Sequence, residues 1–166
     1  MSKITGVKTY DFRFPTSNTL SGSDAMNPDP DYSSAYVEIS TDADDGIIGV
    51  GFVFTIGRGN DVVCAAMNSM AHTLVGRNVE ELLDNMRLAW DLLVGDSQLR
   101  WLGPEKGVEH MAIGALLSAL WDISKPSVLE SRCGACWAKW NRKSWSQPLI
   151  SVIFLMRFVL KKLLSS

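Results

Sequence analysis

Strict alternation of apolar and polar positions marks three segments near the start of the chain. In the run ITGVKTYDFRF, residues 4–14, Tyr10, Phe12 and Phe14 fall on one face and Thr9, Asp11 and Arg13 on the other. That period of two predicts a half-buried strand. From Ala35 to Thr41 the alternation repeats, with Ala35, Val37 and Ile39 opposite Tyr36, Glu38 and Ser40. Asp44-Asp45-Gly46 then reads as a turn. In the third run, Ile47 to Thr55, Ile48, Val50, Phe52 and Phe54 share a side and Gly49 and Gly51 lie opposite them. Glycines there predict that another element approaches the backbone closely. The three runs predict an antiparallel meander.

After Thr55 the period changes to that of helices. Val63, Ala66, Met67, Met70 and Leu74 recur at helical spacing, between Asn60 or Asp61 as cap and Gly76 as stop. Asn78, with Glu81 three residues later, resembles a capping box. It predicts a second helix with the stripe Leu82, Met86, Trp90 and Leu93, ended by Gly95. Pro104 is placed to open a third helix, with the stripe Val108, Ala112, Ala115, Leu116 and Ala119. Its small residues allow close packing. The order β-β-β-α-α-α predicts an α+β fold: a three-stranded antiparallel meander followed by a helical bundle.

One connection does not fit a simple meander. Some twenty residues rich in Ser, Gly, Asp and Pro, including GSDAMNPDPDYSSAY at 22–36, join the first two strands. A hairpin needs two to five, and a connection of this length is usually functional or disordered. Asp24, Asp29 and Asp31 beside Pro28 and Pro30 are also ordinary turn initiators.

Beyond Ile123 no clear period survives. SKPSVLESRCGAC, WAKWNRKSWSQP and LISVIFLMRFVLKKLLSS follow in turn. The last is apolar but carries Arg157, Lys161 and Lys162, and its apolar part falls short of the roughly twenty residues that a membrane span needs. The division expected is therefore 1–123 as a folded domain and 124–166 as a divergent tail.

Composition narrows the function. A formal net charge of −2 gives no electrostatic case for nucleic acid. Three cysteines are too few for a secreted disulfide framework. MSKITGVKTYDF lacks the apolar core of a signal peptide. An intracellular setting is expected, with cytosol and mitochondrion both open.

The phrases SDAMNPDPDYS, GIIGVGFVFTIGRGNDVV and LRWLGPEKGV, with the helix Ala112 to Asp122, resemble the L-fuconate dehydratase group of the enolase superfamily, in its mandelate racemase subgroup. The resemblance is collinear from about Lys3 to Asp122. It implies an N-terminal capping domain that precedes a (β/α)8 barrel in the full-length family. The barrel there holds Mg2+ and supplies the bases. They remove the proton α to a sugar-acid carboxylate, and water is lost to give a 2-keto-3-deoxy acid. The long connection becomes a lid over the substrate, with Gly22, Ser23, Asp24 and Tyr32 facing it. Backbone donors, a carboxylate and a phenol suit a polyhydroxy acid.

The departure from the family is as informative. A barrel needs about 250 residues, and 44 follow Asp122. No Lys-x-Lys pair on a strand and no spaced acidic ligand set is present. His72 and His110 fall on predicted helices, where a lone histidine is ordinarily structural. The expectation is that this chain alone binds no catalytic Mg2+ and turns over no substrate. SKPSVLESRCGAC reads as an insertion before WAKWNRKSW and LISVI resume the family pattern, and FLMRFVLKKLLSS reads as a lost frame. A second hypothesis makes the chain a non-catalytic interaction module that pairs with full-length subunits.

Three weaker signals are read as structural. Cys133-Gly-Ala-Cys136 follows no predicted strand and has no second ligand pair. GVGF at 49–52 and GRGN at 57–60 lack nucleotide-loop spacing. The Trp137, Trp140 and Trp145 stretch with Lys139, Arg142 and Lys143 resembles a remnant of a packed helix.

Overall fold

The structure, a computed structural model, describes residues 2–20, 25–26, 31–44, 46–103 and 106–124. Three strands come first: β1 (Ile4–Phe14), β2 (Tyr32–Thr41) and β3 (Ile48–Thr55). Among the described residues four helices follow: α1 (Asn60–Leu74), α2 (Val79–Asp84), α3 (Met86–Val94) and α4 (Gly107–Ile123). Short 3-10 turns lie at Thr16–Thr19 and Leu99–Leu102. The strands form one antiparallel sheet in the order β1-β2-β3. This is the α+β arrangement that the pattern predicts, and the described residues form no closed barrel.

The helices cover one face of the sheet. Ala35, Val37 and Ile39 are fully buried there, opposite Asp11, Thr9 and Val7 on β1 and Val53, Gly51 and Gly49 on β3. A register shift between Ile4 and Gly6 lets Ile4 and Val7 both point inward despite their odd spacing. Gly49 and Gly51 are where α4 crosses. A Cβ built on either would collide with the main-chain carbonyl of Ala119 or Ala115. α4 can come this close because Ala112, Ala115 and Ala119 line it, while Ile113, Leu116 and Leu120 fill the space on either side. Fully burying one such aliphatic side chain stabilises by about 2 kcal/mol.

Alternation alone would bury the aromatic side of β1, and the structure reverses this. Tyr10 and Phe12 stack on each other on the outer face of the sheet and Tyr36 meets both rings at a steep angle, with ring centroids 5.7 to 5.9 Å apart. The Tyr10 hydroxyl donates to Glu38 at 2.8 Å. The polar side of β1 instead meets α1, where Thr9 reaches Asn68 at 3.1 Å. The neighbour decides: β2 commits Ala35, Val37 and Ile39 to the core, and the register with β1 then fixes which side of β1 faces the helices.

The helical stripes hold. Val63, Ala66, Met67, Met70 and Leu74 of α1 are all buried. The second helical segment is broken in two at Asn85. Its backbone leaves the helical region at φ −136° and ψ 76°, and its side chain accepts from Leu88 N–H, capping α3. Asparagine does this because its side chain competes with the backbone ladder. Asn78 caps α2 as expected, accepting from Glu80 and Glu81 N–H. α4 begins at Gly107, and Pro104 lies outside the described residues. So do residues 125–166, and with them the readings of Cys133, Cys136 and the tail.

Candidate functional site

The end of the sheet where β1 leaves for the long connection and β2 returns from it is built from polar side chains. Phe14 and Tyr32 are the last paired residues of the two strands. Beyond them, Ser17 donates to Asp31 Oδ1 through both its main-chain N–H and its hydroxyl. Tyr32 N–H donates to Thr16 Oγ1 at 3.1 Å. These bonds close the neck of the connection with side chains where the ladder ends. The Ser17 donors hold the Asp31 carboxyl below the ordinary carboxylate range.

A second layer fixes the neck to the start of α1. Gly57, at φ +101°, packs against Asp31, and a Cβ there would meet Asp31 main-chain oxygen at 3.0 Å. Its N–H donates to Ser33 Oγ at 2.7 Å. The Ser33 and Thr55 hydroxyls are bonded to one another, and Thr55 donates to Asn60 Oδ1 at 2.7 Å. The single Thr55 proton is thus engaged, so Ser33 is the donor within its pair with Thr55. Asn60, fully buried, donates from Nδ2 to Asp11 Oδ1. Arg13 holds the other side of Asp11, with Nη2 2.7 Å from Oδ2. Arg13 first, and Asn60 after burial opposes it, lower the Asp11 carboxyl. The chain of donors therefore runs one way, from Gly57 through Ser33, Thr55 and Asn60, and ends on a carboxylate.

Of the four residues expected to face a substrate, Tyr32 lies at this neck. Tyr32 is 36% exposed, and its ring meets Phe54 edge-on at 5.5 Å. Gly22, Ser23 and Asp24 lie outside the described residues. His72 is on α1 and His110 on α4. His72 Nδ1 is 2.8 Å from Ser69 O, and His110 packs edge-on against Trp90. Among the described residues no group of three or more His, Cys, Asp or Glu side chains could hold a metal ion, so this set does not fit the Mg2+ of the family. No described helix is long and apolar enough to cross a membrane.

The Asn60 network escaped the sequence reading. A helix-start Asn scans as an ordinary cap, and only the register shows that Asp11, Ser33 and Thr55 converge on it. The usable signal is the cluster of small hydroxyl residues at strand ends, Ser33 and Thr55, where apolar residues would otherwise continue the pattern.

Elsewhere, an open groove of about 560 Å³ runs beside β3, lined by Val50, Gly51, Phe52, Met86, Leu117 and Trp121. Val50 N–H donates to the buried Asp122 carboxylate at 3.1 Å.

The profile described as the mandelate racemase/muconate lactonizing enzyme N-terminal domain matches residues 29–128. The chain belongs to this family. It is 52% identical over 120 residues to L-galactonate dehydratase of Hypocrea jecorina, which covers 72% of this chain and 26% of that protein. It is 48% identical over 121 residues to human mitochondrial enolase superfamily member 1, covering 73% of this chain and 27% of that one. The crystal structure of the human protein superposes with a TM-score of 0.72 over 75% of this chain and 28% of that one, at 46% identity. L-talarate dehydratase from Polaromonas, solved with Mg and L-glucarate, superposes at TM-score 0.54 and 25% identity over 76% of this chain and 30% of that one. The chain thus spans about a quarter of the length of these curated relatives. The α+β capping-domain fold is the family's N-terminal fold.

Proposed function

We propose that the chain is the capping-domain portion of an L-fuconate dehydratase-like enzyme and is inactive alone. The activity assigned to the whole enzyme is removal of the proton α to a sugar-acid carboxylate, then loss of water to a 2-keto-3-deoxy acid. The observation that carries this reading is the 52% identity over 120 residues to an L-galactonate dehydratase. L-fuconate is 6-deoxy-L-galactonate, so the two acids share every centre at which this chemistry occurs. In the proposed arrangement residues 1–123 form the capping domain and 124–166 a divergent tail made of an insertion and an aberrant barrel start. The connection between β1 and β2 serves as the lid, and Gly22, Ser23, Asp24 and Tyr32 contact the sugar acid. Mg2+ belongs to the full-length enzyme, and no step assigned to this chain runs through it. The setting is intracellular.

The lid reading is tested on a fusion of residues 3–122 to the remainder of the human relative. Tyr32→Phe and Asp24→Ala are each expected to lower kcat/KM for L-fuconate by about tenfold or more, the equivalent of one lost hydrogen bond to substrate. Unchanged kcat/KM in both variants would remove these residues from the site.

A second reading makes the chain a non-catalytic module that pairs with full-length subunits. The exposed apolar side chains favour it: Ile48, Phe52 and Phe54 on the outer sheet face, with Trp121 at the β3 groove. A stable complex with a full-length subunit at micromolar concentration supports this second reading, and its absence rejects it.

A further inference from the structure

The chain has six Phe and three Tyr residues, and apart from Phe154 and Phe158 every one of them stands on the outer face of the sheet. Tyr10, Phe12 and Tyr36 form one cluster there, and Tyr32 meets Phe54 in another. Phe14 and Phe52 are each 40% exposed and Phe54 is 57% exposed. Among the described residues, no Phe or Tyr belongs to the buried core beneath the helices. A sheet face left to water is ordinarily polar. Aromatic residues are enriched where one protein meets another.

The charges on this face balance. Lys8 and Glu38 are register partners on β1 and β2. Lys8 Nζ lies 4.8 Å from the centre of the Tyr10 ring, and the Tyr10 hydroxyl donates to Glu38 at 2.8 Å. One cation and one anion therefore end the aromatic rows, so the face favours neither an anionic nor a cationic partner. Its exposed apolar surface amounts to roughly 500 Å² per copy, at about 200 Å² for a whole aromatic side chain. Two such faces together bury on the order of 1,000 Å², the lower bound for a specific interface.

We propose that this face is a self-association surface whose occupant is a second copy of this chain, packed sheet to sheet across a twofold axis that runs along β2. β1 of each copy then lies over β3 of the other. The register sets the contacts: Tyr10, Tyr36 and Phe52 form one row across the sheet, and Phe12, Ser34 and Phe54 form another. The left-to-right reversal places Tyr10 over Phe52 and Phe12 over Phe54, with the small Ser34 on the axis. It also brings Lys8 of each copy across to Glu38 of the other, so the face is its own charge complement. Sheets stack in this way at about 10 Å with strand directions within about 30° of each other. The contact is closed, and the helices stay on the outside of both copies. The inference is independent of the sugar-acid reading. It uses the exposed face named for the module reading, with a copy of this chain in place of the full-length subunit.

Sedimentation equilibrium of the intact chain tests this. A reversible dimer is expected, with a dissociation constant on the order of 10 μM, as an interface of this size implies. Phe54→Lys, at an exposed position, is expected to weaken it by about tenfold or more. Lys8→Glu and Glu38→Lys each set like charges across the axis and are expected to weaken it by a similar factor. An equimolar mixture of these two variants is expected to dimerise again, because each carries the charges that the other lacks. Should Phe54→Lys fail to fold, the charge variants and their mixture decide. A monomer up to about 100 μM, ten times the expected constant, overturns the proposal. So does a dimer indifferent to all three substitutions, or a mixture that stays monomeric. A complex with full-length subunits without self-association would uphold the module reading and overturn this one; self-association without such a complex would do the reverse.

Discussion

Gly51→Ala is expected to cost about 3 kcal/mol of folding stability, the upper end of what overpacking exacts. The thermal midpoint should fall by about 10 °C, since 1 kcal/mol shifts a domain of this size by roughly 3 to 4 °C. The added methyl meets the Ala115 carbonyl and the Ala119 N–H group. These are main-chain atoms in the middle of a helix, so no rotamer change relieves the clash. α4 would have to lift from β3, uncovering Ala115, Leu116 and Ala119 together. Gly6→Ala is the control, because nothing lies within 4 Å of a Cβ there. It is expected to change stability by less than about 0.5 kcal/mol, as surface substitutions do. Equal effects at the two positions would show that strand entropy, and not close approach, explains Gly51.

This approach was legible in the sequence because two cues agree. Glycines alternate with apolar residues in β3, and alanines recur at helical spacing in α4. The burial of α1 was legible for the same reason. The facing of β1 was not, since its own pattern favours the aromatic side and the decision belongs to β2. Nor was the break at Asn85, where one side chain outcompetes a helical pattern that continues on both sides of it. The site was half legible. A long polar connection announces itself by length and composition, but the side chains that hold its neck are Ser17, Asp31, Ser33, Thr55 and Asn60, drawn from four separated stretches. Nothing in local periodicity joins them; the strand register does.

The second large effect lies in that network. Asn60→Asp is nearly isosteric and keeps the acceptor for Thr55, but it replaces the donor facing Asp11 with a carboxylate oxygen. A like charge then meets Asp11 in a buried position, with Arg13 the cation at hand. The expected cost near neutral pH is about 3 kcal/mol, from the lost charge-assisted hydrogen bond and the new repulsion. The sign with pH is diagnostic. Acidification protonates one carboxyl of the pair and restores a donor, so the gap between variant and wild type should narrow as pH falls. In the wild type, Asp11 acts oppositely. Its carboxyl is lowered by Arg13, so its contribution is present above the unfolded value and lost as pH falls through the folded one. Denaturant unfolding of both proteins at pH 4.5 and 7 measures the gap. A gap that is constant or wider at the lower pH would mean that the network does not depend on the Asn60 donor.

On the reading proposed above, in which the connection is a lid, such a network would serve as its rigid base. Asp31 and Ser17 close the neck, and Gly57 leans on it from the β3–α1 turn. On the proposed reading, the frame belongs to this chain and the proton-moving groups lie in the part of the family's architecture that these 166 residues are too few to build.

The most direct measurement is the rate of L-galactonate and L-fuconate dehydration, with Mg2+ present, by the purified 166-residue chain beside residues 3–122 fused to the remainder of the Hypocrea jecorina L-galactonate dehydratase. The account predicts no turnover above buffer for the chain and clear turnover for the fusion. Dehydration by the chain by itself would contradict it.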